Sequence, residues 1–169
     1  MSQTIDDFRN FYKPSKGKRR FDIKESIIQS SKIVKSSLEK NSIKLEIEAI
    51  KIEIDNYENE FEQVIVNILN NAIDAKIIKE KIEKFEAKIE IKIYKEKEKI
   101  IISIFNNCGN IDEKIIERIF EPYFTTKFEN QGTGIGLYMT KVIIEKNMNG
   151  KIEAQNKDDG VEFLITLNA

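Results

Sequence analysis

The sequence predicts an α+β two-layer sandwich, with helices covering one face of a mixed, mostly antiparallel sheet. Three observations carry that expectation. Apolar residues recur at helical spacing through two long segments, 23–41 and 60–84. They alternate with charged residues at Ile43, Leu45 and Ile47, and again at Ile89, Ile91 and Ile93, as half-buried strands require. Helical and strand segments are interspersed, and the last two strands are separated only by a turn, which favours antiparallel pairing.

Taken in order, residues 4–12 read as the end of a helix. Residues 13–20, Lys-Pro-Ser-Lys-Gly-Lys-Arg-Arg, combine a proline, a glycine and a basic run, and are expected to form a solvated linker. The expected division is therefore residues 1–20 as helix tail and linker, and 21–169 as the domain proper. The first amphipathic helix is anchored by Ile23, Ile27, Val34 and Leu38. The second should bury Ile65, Ile68, Leu69 and Ala72 on one face. Residues 100–105 form an almost continuous apolar run, the pattern of a central strand. Asp112 can cap a short helix running to Ile119. A further helix spans 135–148 and ends near Asn149-Gly150. Strands at 151–155 and 161–167 close a hairpin across Asp158-Asp159-Gly160.

Composition narrows the function. The chain has 169 residues, enough for one sizeable core, with 40% hydrophobic and 34% charged residues. A formal net charge of −1 lacks the basic excess of a general nucleic-acid or anionic-membrane binder. There is no histidine and one cysteine, Cys108, so histidine-based triads and the usual zinc sites are excluded. A lone cysteine forms no intrachain disulfide, and no apolar run approaches a membrane span, so a cytoplasmic setting is expected.

Three segments could carry chemistry. On the second long helix Gln63, Asn67 and Asn71 are spaced by four and form a polar stripe. Asparagine is a mediocre helix former, and its amide oxygen suits Mg²⁺, which keeps waters and shares phosphate oxygens. The same stripe is equally consistent with a plain polar helix face in an asparagine-rich chain. Gly132-Thr133-Gly134-Ile135-Gly136-Leu137 opens a helix, where backbone N–H groups and the dipole favour a phosphate. It lacks the Gly-Lys-Ser/Thr ending of a P-loop, and a hinge would also use glycines. Ile119-Phe120-Glu121-Pro122-Tyr123-Phe124-Thr125-Thr126-Lys127 has the make-up of a lid, with Phe124 as anchor and Lys127 as a point charge for phosphate. Phe120 is better read as core, and Glu62 as a surface charge.

Together and in this order, the Asn-x₃-Asn helix, Phe-Glu-Pro-Tyr-Phe-Thr-Thr-Lys and Gly-Thr-Gly-Ile-Gly-Leu resemble the catalytic and ATP-binding domain of bacterial sensor histidine kinases. That domain belongs to the gyrase, chaperone, kinase and mismatch-repair (GHKL) ATPase superfamily. The resemblance covers about residues 22–169. The lid segment has the histidine-kinase form, and the short span from Phe124 to Gly132 leaves little room for the longer lids of other branches. The resemblance implies a Bergerat-type ATP-binding fold, with ATP and Mg²⁺ as cofactors. It implies that Asn71 ligands the metal and that Asn67 assists at the phosphates. It further implies Phe124 as lid anchor, Lys127 near phosphate, and Gly132, Gly134, Gly136 and Leu137 at the helix beside the triphosphate. Thr4 to Phe11 is similar to the tail of the dimerisation and phosphoacceptor domain. The implied reaction is transfer of the γ-phosphoryl group to a histidine of that adjoining domain, then to a response regulator. The parent is implied to be a homodimer, and this piece alone a monomer with no direct membrane or nucleic-acid contact.

One motif departs from the family. Its first glycine box reads roughly Asp-x-Gly-x-Gly, and here the segment is Asn106-Asn107-Cys108-Gly109-Asn110. Asn106 stands where the family has the aspartate that receives the adenine amino group, and Cys108 and Asn110 replace glycines. Loss of a charge-assisted bond of about 1.5–3 kcal/mol corresponds to roughly tenfold to hundredfold weaker adenine binding. Asn110 tolerates left-handed backbone, so the turn is expected to survive there, whereas Cys108 tolerates it less. A second reading follows from this departure: a weakly binding or nucleotide-free docking module within a signalling complex.

Overall fold

The structure is a computed structural model that describes residues 17–124 and 135–169. It opens on a short strand, β1 (Arg19–Asp22), which pairs antiparallel with β3 (Glu53–Asn56) in a two-stranded sheet. Arg19 and Arg20, expected in the linker, therefore belong to the folded domain. They pair with Glu58 at 3.3 Å, and with Glu53 and Asp55 at 3.2 and 3.3 Å. Neither strand shows in the sequence pattern, because each is four residues long with a single apolar residue. Their buried residues are Phe21 and Ile54. The predicted helix tail at 4–12 lies outside the described residues.

Asp22 caps the first helix, α1 (Ile23–Ile33), its carboxylate accepting from the Lys24 N–H at 3.0 Å. The expected single helix breaks at Val34 and resumes as α2 (Lys35–Lys40). Ser30 and Ser31 donate to the backbone carbonyls of Ser26 and Ile28 at 2.8 and 2.7 Å, the back-bonding that bends helices just before such a break. All four predicted anchors, Ile23, Ile27, Val34 and Leu38, are buried. The long helix α3 (Glu58–Glu80) packs against α1 and buries Ile65, Ile68, Leu69 and Ala72 as its spacing requires.

The main sheet has five strands in the order β2 (Lys44–Ala49), β4 (Lys88–Glu96), β5 (Lys99–Asn106), β7 (Gly160–Asn168) and β6 (Lys151–Lys157). Only β2 and β4 run parallel; the other pairs are antiparallel. The apolar strand β5 is central, and Ile100, Ile102 and Ile104 face the helices with Ile89, Ile91 and Ile93 of β4. Each such side chain, fully withdrawn from water, contributes about 1.5–3 kcal/mol of hydrophobic stabilisation. The residues after Asp112 form turns and one 3₁₀ turn at Ile116–Arg118 rather than an α-helix, although Asp112 does cap them, accepting from Lys114 N–H at 2.9 Å. The helix α4 (Gly136–Val142) widens into a π-helical turn at Ile143–Asn147. It ends at Asn149, whose left-handed φ of 57° releases the chain into β6.

Candidate functional site

Two groups of amide side chains meet at α3. The first lies at its middle. Gln63 Nε2 donates to Asn67 Oδ1 at 3.3 Å, which turns the Asn67 NH₂ group towards α4. Asn67 Nδ2 is 3.3 Å from both the Gly136 carbonyl and Thr140 Oγ1, so it ties α3 to the first turn of α4. Asn71, one turn further along, is half-buried, and among the described residues its amide has no hydrogen-bond partner. A Cβ added at Gly136 would meet nothing closer than Asn67 Cγ at 4.0 Å, so packing does not demand glycine there. Leu137 is partly buried against the core.

The second group is the loop that follows β5. Asn106 ends the helix-facing row of that strand and is 5% exposed. Its Oδ1 accepts the Cys108 N–H at 3.0 Å, closing a turn on itself. Asn107 is held on both sides: Oδ1 accepts from Lys88 N–H and Nδ2 donates to the Glu86 carbonyl, each at 2.8 Å. Lys79, near the C-terminus of α3, donates to the Asn107 carbonyl at 3.1 Å. The left-handed residue is Gly109, with φ 99°, and neither Cys108 nor Asn110 has positive φ. The expectation that Asn110 carries the turn is thus corrected. One glycine between the two substituted positions is sufficient, and it leaves both neighbours in ordinary backbone.

The β6–β7 turn fastens this loop from the other side. Gly109 N–H donates to the Asp159 carbonyl at 3.0 Å. Asn110 Nδ2 donates to the carbonyls of Gly160 at 2.8 Å and Asp158 at 3.3 Å. Asn156 grips the Ile111 peptide at both ends, its Oδ1 accepting the N–H at 2.8 Å and its Nδ2 donating to the carbonyl at 2.6 Å. Sequence reading missed Lys79, Asn107, Asn156 and Gly160. The hairpin turn was legible, but nothing in local spacing shows that its residues reach a loop some fifty positions earlier.

Elsewhere the outcome is mixed. Phe120 is core, meeting Phe163 edge-on at 6.3 Å. Phe124 is partly buried against the core, with the Arg118 guanidinium 4.8 Å from its ring. Lys127, Gly132 and Gly134 lie outside the described residues. Glu62 is not a plain surface charge. It is half-buried beside Ser26, and burial first, then repulsion from Glu58, pushes its carboxyl above the usual range. Cys108 is buried in the core cluster, and desolvation pushes its thiol up to about 11. The folded state therefore favours the protonated thiol. That contribution is complete below the ordinary thiol range and is lost as pH rises towards the folded value. Stability measured by denaturant should fall above about pH 8.5, and Cys108→Ala should show a flatter decline. Identical slopes in the two proteins would contradict the assignment.

These features define a two-layer α/β domain in which an amide-bearing helix faces a loop fixed by asparagines. Residues 56–169 match the family described as histidine kinase-, DNA gyrase B- and HSP90-like ATPase, and the chain belongs to that family. Within it, the chain is the ATP-binding catalytic domain type of sensor histidine kinases. It is 36% identical over 109 residues to the two-component sensor PprA of Pseudomonas aeruginosa, covering 64% of this chain and 12% of that protein. It is 34% identical to the sensor protein KdpD of Clostridium acetobutylicum, covering 82% of this chain and 14% of that protein. The chain thus spans about an eighth of the length of these relatives. Among solved structures, the nucleotide-free catalytic domain of the histidine kinase ThkA superposes with a TM-score of 0.79 at 29% identity, covering 90% of this chain and 96% of that one.

Proposed function

We propose that this domain holds a magnesium nucleoside triphosphate along α3, phosphates towards Asn67, Asn71 and Gly136, and base towards Asn106. The observation that carries the proposal is the contrast between Asn67 and Asn71. Asn67 is occupied in bracing α4, while the half-buried Asn71 amide has no partner among the described residues. The two ends of such a site are well separated, since Asn71 and Lys79 are about 12 Å apart along the helix axis.

A Mg²⁺ ion fits the donor set. Among the described residues no group of three or more His, Cys, Asp or Glu side chains could hold a metal. The cation would therefore take one neutral oxygen from Asn71 and complete its shell with phosphate oxygens and water, as Mg²⁺ commonly does. When bound it would neutralise phosphate charge. The chain's own residues fix α4 against α3, leave room beside Gly136 for a close approach, and hold the base-side loop. Phe124 would anchor the lid, with Lys127, Gly132, Gly134 and Leu137 beside the phosphates.

The chain has no histidine, so the phosphoryl acceptor lies outside it. The proposed reaction is transfer of the γ-phosphoryl group to a histidine of the parent kinase's dimerisation and phosphoacceptor domain, with a response regulator receiving it next. Catalysis would rest on positioning and charge neutralisation. The residues before β1 would be the connection to that domain, and the parent would act as a cytoplasmic-facing homodimer. The test is to incubate the chain, labelled Mg-ATP and the parent's acceptor domain together. Label that is acid-labile and alkali-stable on that domain supports the reading; no transfer, with nucleotide demonstrably bound, removes the kinase assignment but not the binding site.

A further inference from the structure

The Asn106 amide has a fixed direction. A backbone N–H needs an acceptor, so the Cys108 N–H at 3.0 Å must face Oδ1 rather than Nδ2. The loop carrying that N–H is itself pinned. Asn107 bonds Lys88 and Glu86, Gly109 bonds Asp159, and Asn110 bonds Gly160. The amide therefore has no alternative partner to swing to without breaking a turn braced from two sides. Its Nδ2 makes no hydrogen bond among the described residues, although the residue as a whole is only 5% exposed. A ligand that presents an acceptor there can pair with it.

We infer that Asn106 admits 6-oxopurine nucleoside triphosphates alongside ATP, because it offers a ligand a hydrogen-bond donor. The inference rests on the proposed placement of the base at Asn106. A 6-oxopurine presents a carbonyl oxygen at the six position, which an NH₂ group can satisfy. A carboxylate at the same place would set oxygen against oxygen and add a repelling charge. Adenine presents an amino donor there and leaves Nδ2 only a ring nitrogen. The asparagine thus removes the main source of discrimination between the two base types.

Inosine triphosphate differs from ATP only at the six position and its adjoining ring proton, so it is the probe. Calorimetric titration of the intact chain with the magnesium complexes of ATP and ITP should give dissociation constants within about tenfold of each other. In Asn106→Asp, that ratio should widen in favour of ATP by roughly tenfold to hundredfold. ITP binding more than about thirtyfold weaker than ATP in the unaltered chain overturns the inference and leaves the nucleotide site standing. Binding of neither nucleotide at millimolar concentration overturns both. If Asn106→Asp does not fold, which its melting curve shows, the ratio in the unaltered chain decides alone.

Discussion

Asn71→Ala is expected to reduce magnesium-dependent nucleotide binding by roughly thirtyfold to a hundredfold while leaving the fold intact. The two halves of this expectation have separate causes. Asn71 sits inside α3, is half-buried, and bonds no described residue, so its removal orphans no partner. Alanine is also the better helix former, so thermal stability should hold or rise slightly. The binding loss comes from deleting the only helix oxygen proposed for the metal, a ligand to a charged group of about 2–3 kcal/mol. Asn67→Ala should behave differently. It cuts the bonds to Gly136 and Thr140 and leaves the buried Thr140 hydroxyl without that partner. Stability should then fall together with affinity. Titration with Mg-ATP in the presence and absence of chelator separates the cases. Asn71→Ala protein that binds within threefold of the original shows that the metal is held elsewhere.

Gly160→Ala should be the most damaging single methyl group among the described glycines. A Cβ at this position would lie 1.7 Å from the Asn106 carbonyl oxygen and 2.8 Å from Asn107 Cα. Both are backbone atoms, so no side chain can turn aside. Gly160 does not have positive φ, so space alone excludes the larger residue. The hairpin turn must withdraw from the loop, which breaks the bonds from Gly109 and Asn110 as well. Overpacking of this kind costs about 1–3 kcal/mol or more, equivalent to a melting temperature lower by roughly 2–12 °C for a domain of this size. The same change should weaken nucleotide binding, since the base-side loop moves with the turn. An unchanged melting curve would mean that the turn and loop do not touch in solution.

The physical reasons for what the sequence revealed are visible in particular residues. Ile89, Ile91 and Ile93, and the run ending at Phe105, announce their strands because one or both faces are buried. The stripe Gln63, Asn67, Asn71 follows from helical geometry, and its three members do share a face. Short elements escape because four residues contain too little periodicity, as β1 and β3 show. The break at Val34 escapes because serine back-bonding is a matter of rotamer rather than residue type. The base-side loop escapes for a third reason. Its form depends on Asn110 meeting the hairpin turn and on Asn156 of that hairpin meeting Ile111, contacts between residues 45 to 50 positions apart. The replaced glycines at Cys108 and Asn110 look disabling in one dimension. In three, Gly109 supplies the single left-handed residue and side-chain amides supply the bracing.

The central claim is that this chain binds a magnesium nucleoside triphosphate despite the altered loop, and one titration tests it most directly. The chain is titrated calorimetrically with a non-hydrolysable ATP analogue in excess magnesium, then again with chelator. The account predicts saturable heat at one nucleotide per chain, abolished or strongly weakened by chelation. No heat at millimolar analogue, from a chain whose melting curve shows it folded, would contradict the account and leave the docking-module reading in its place.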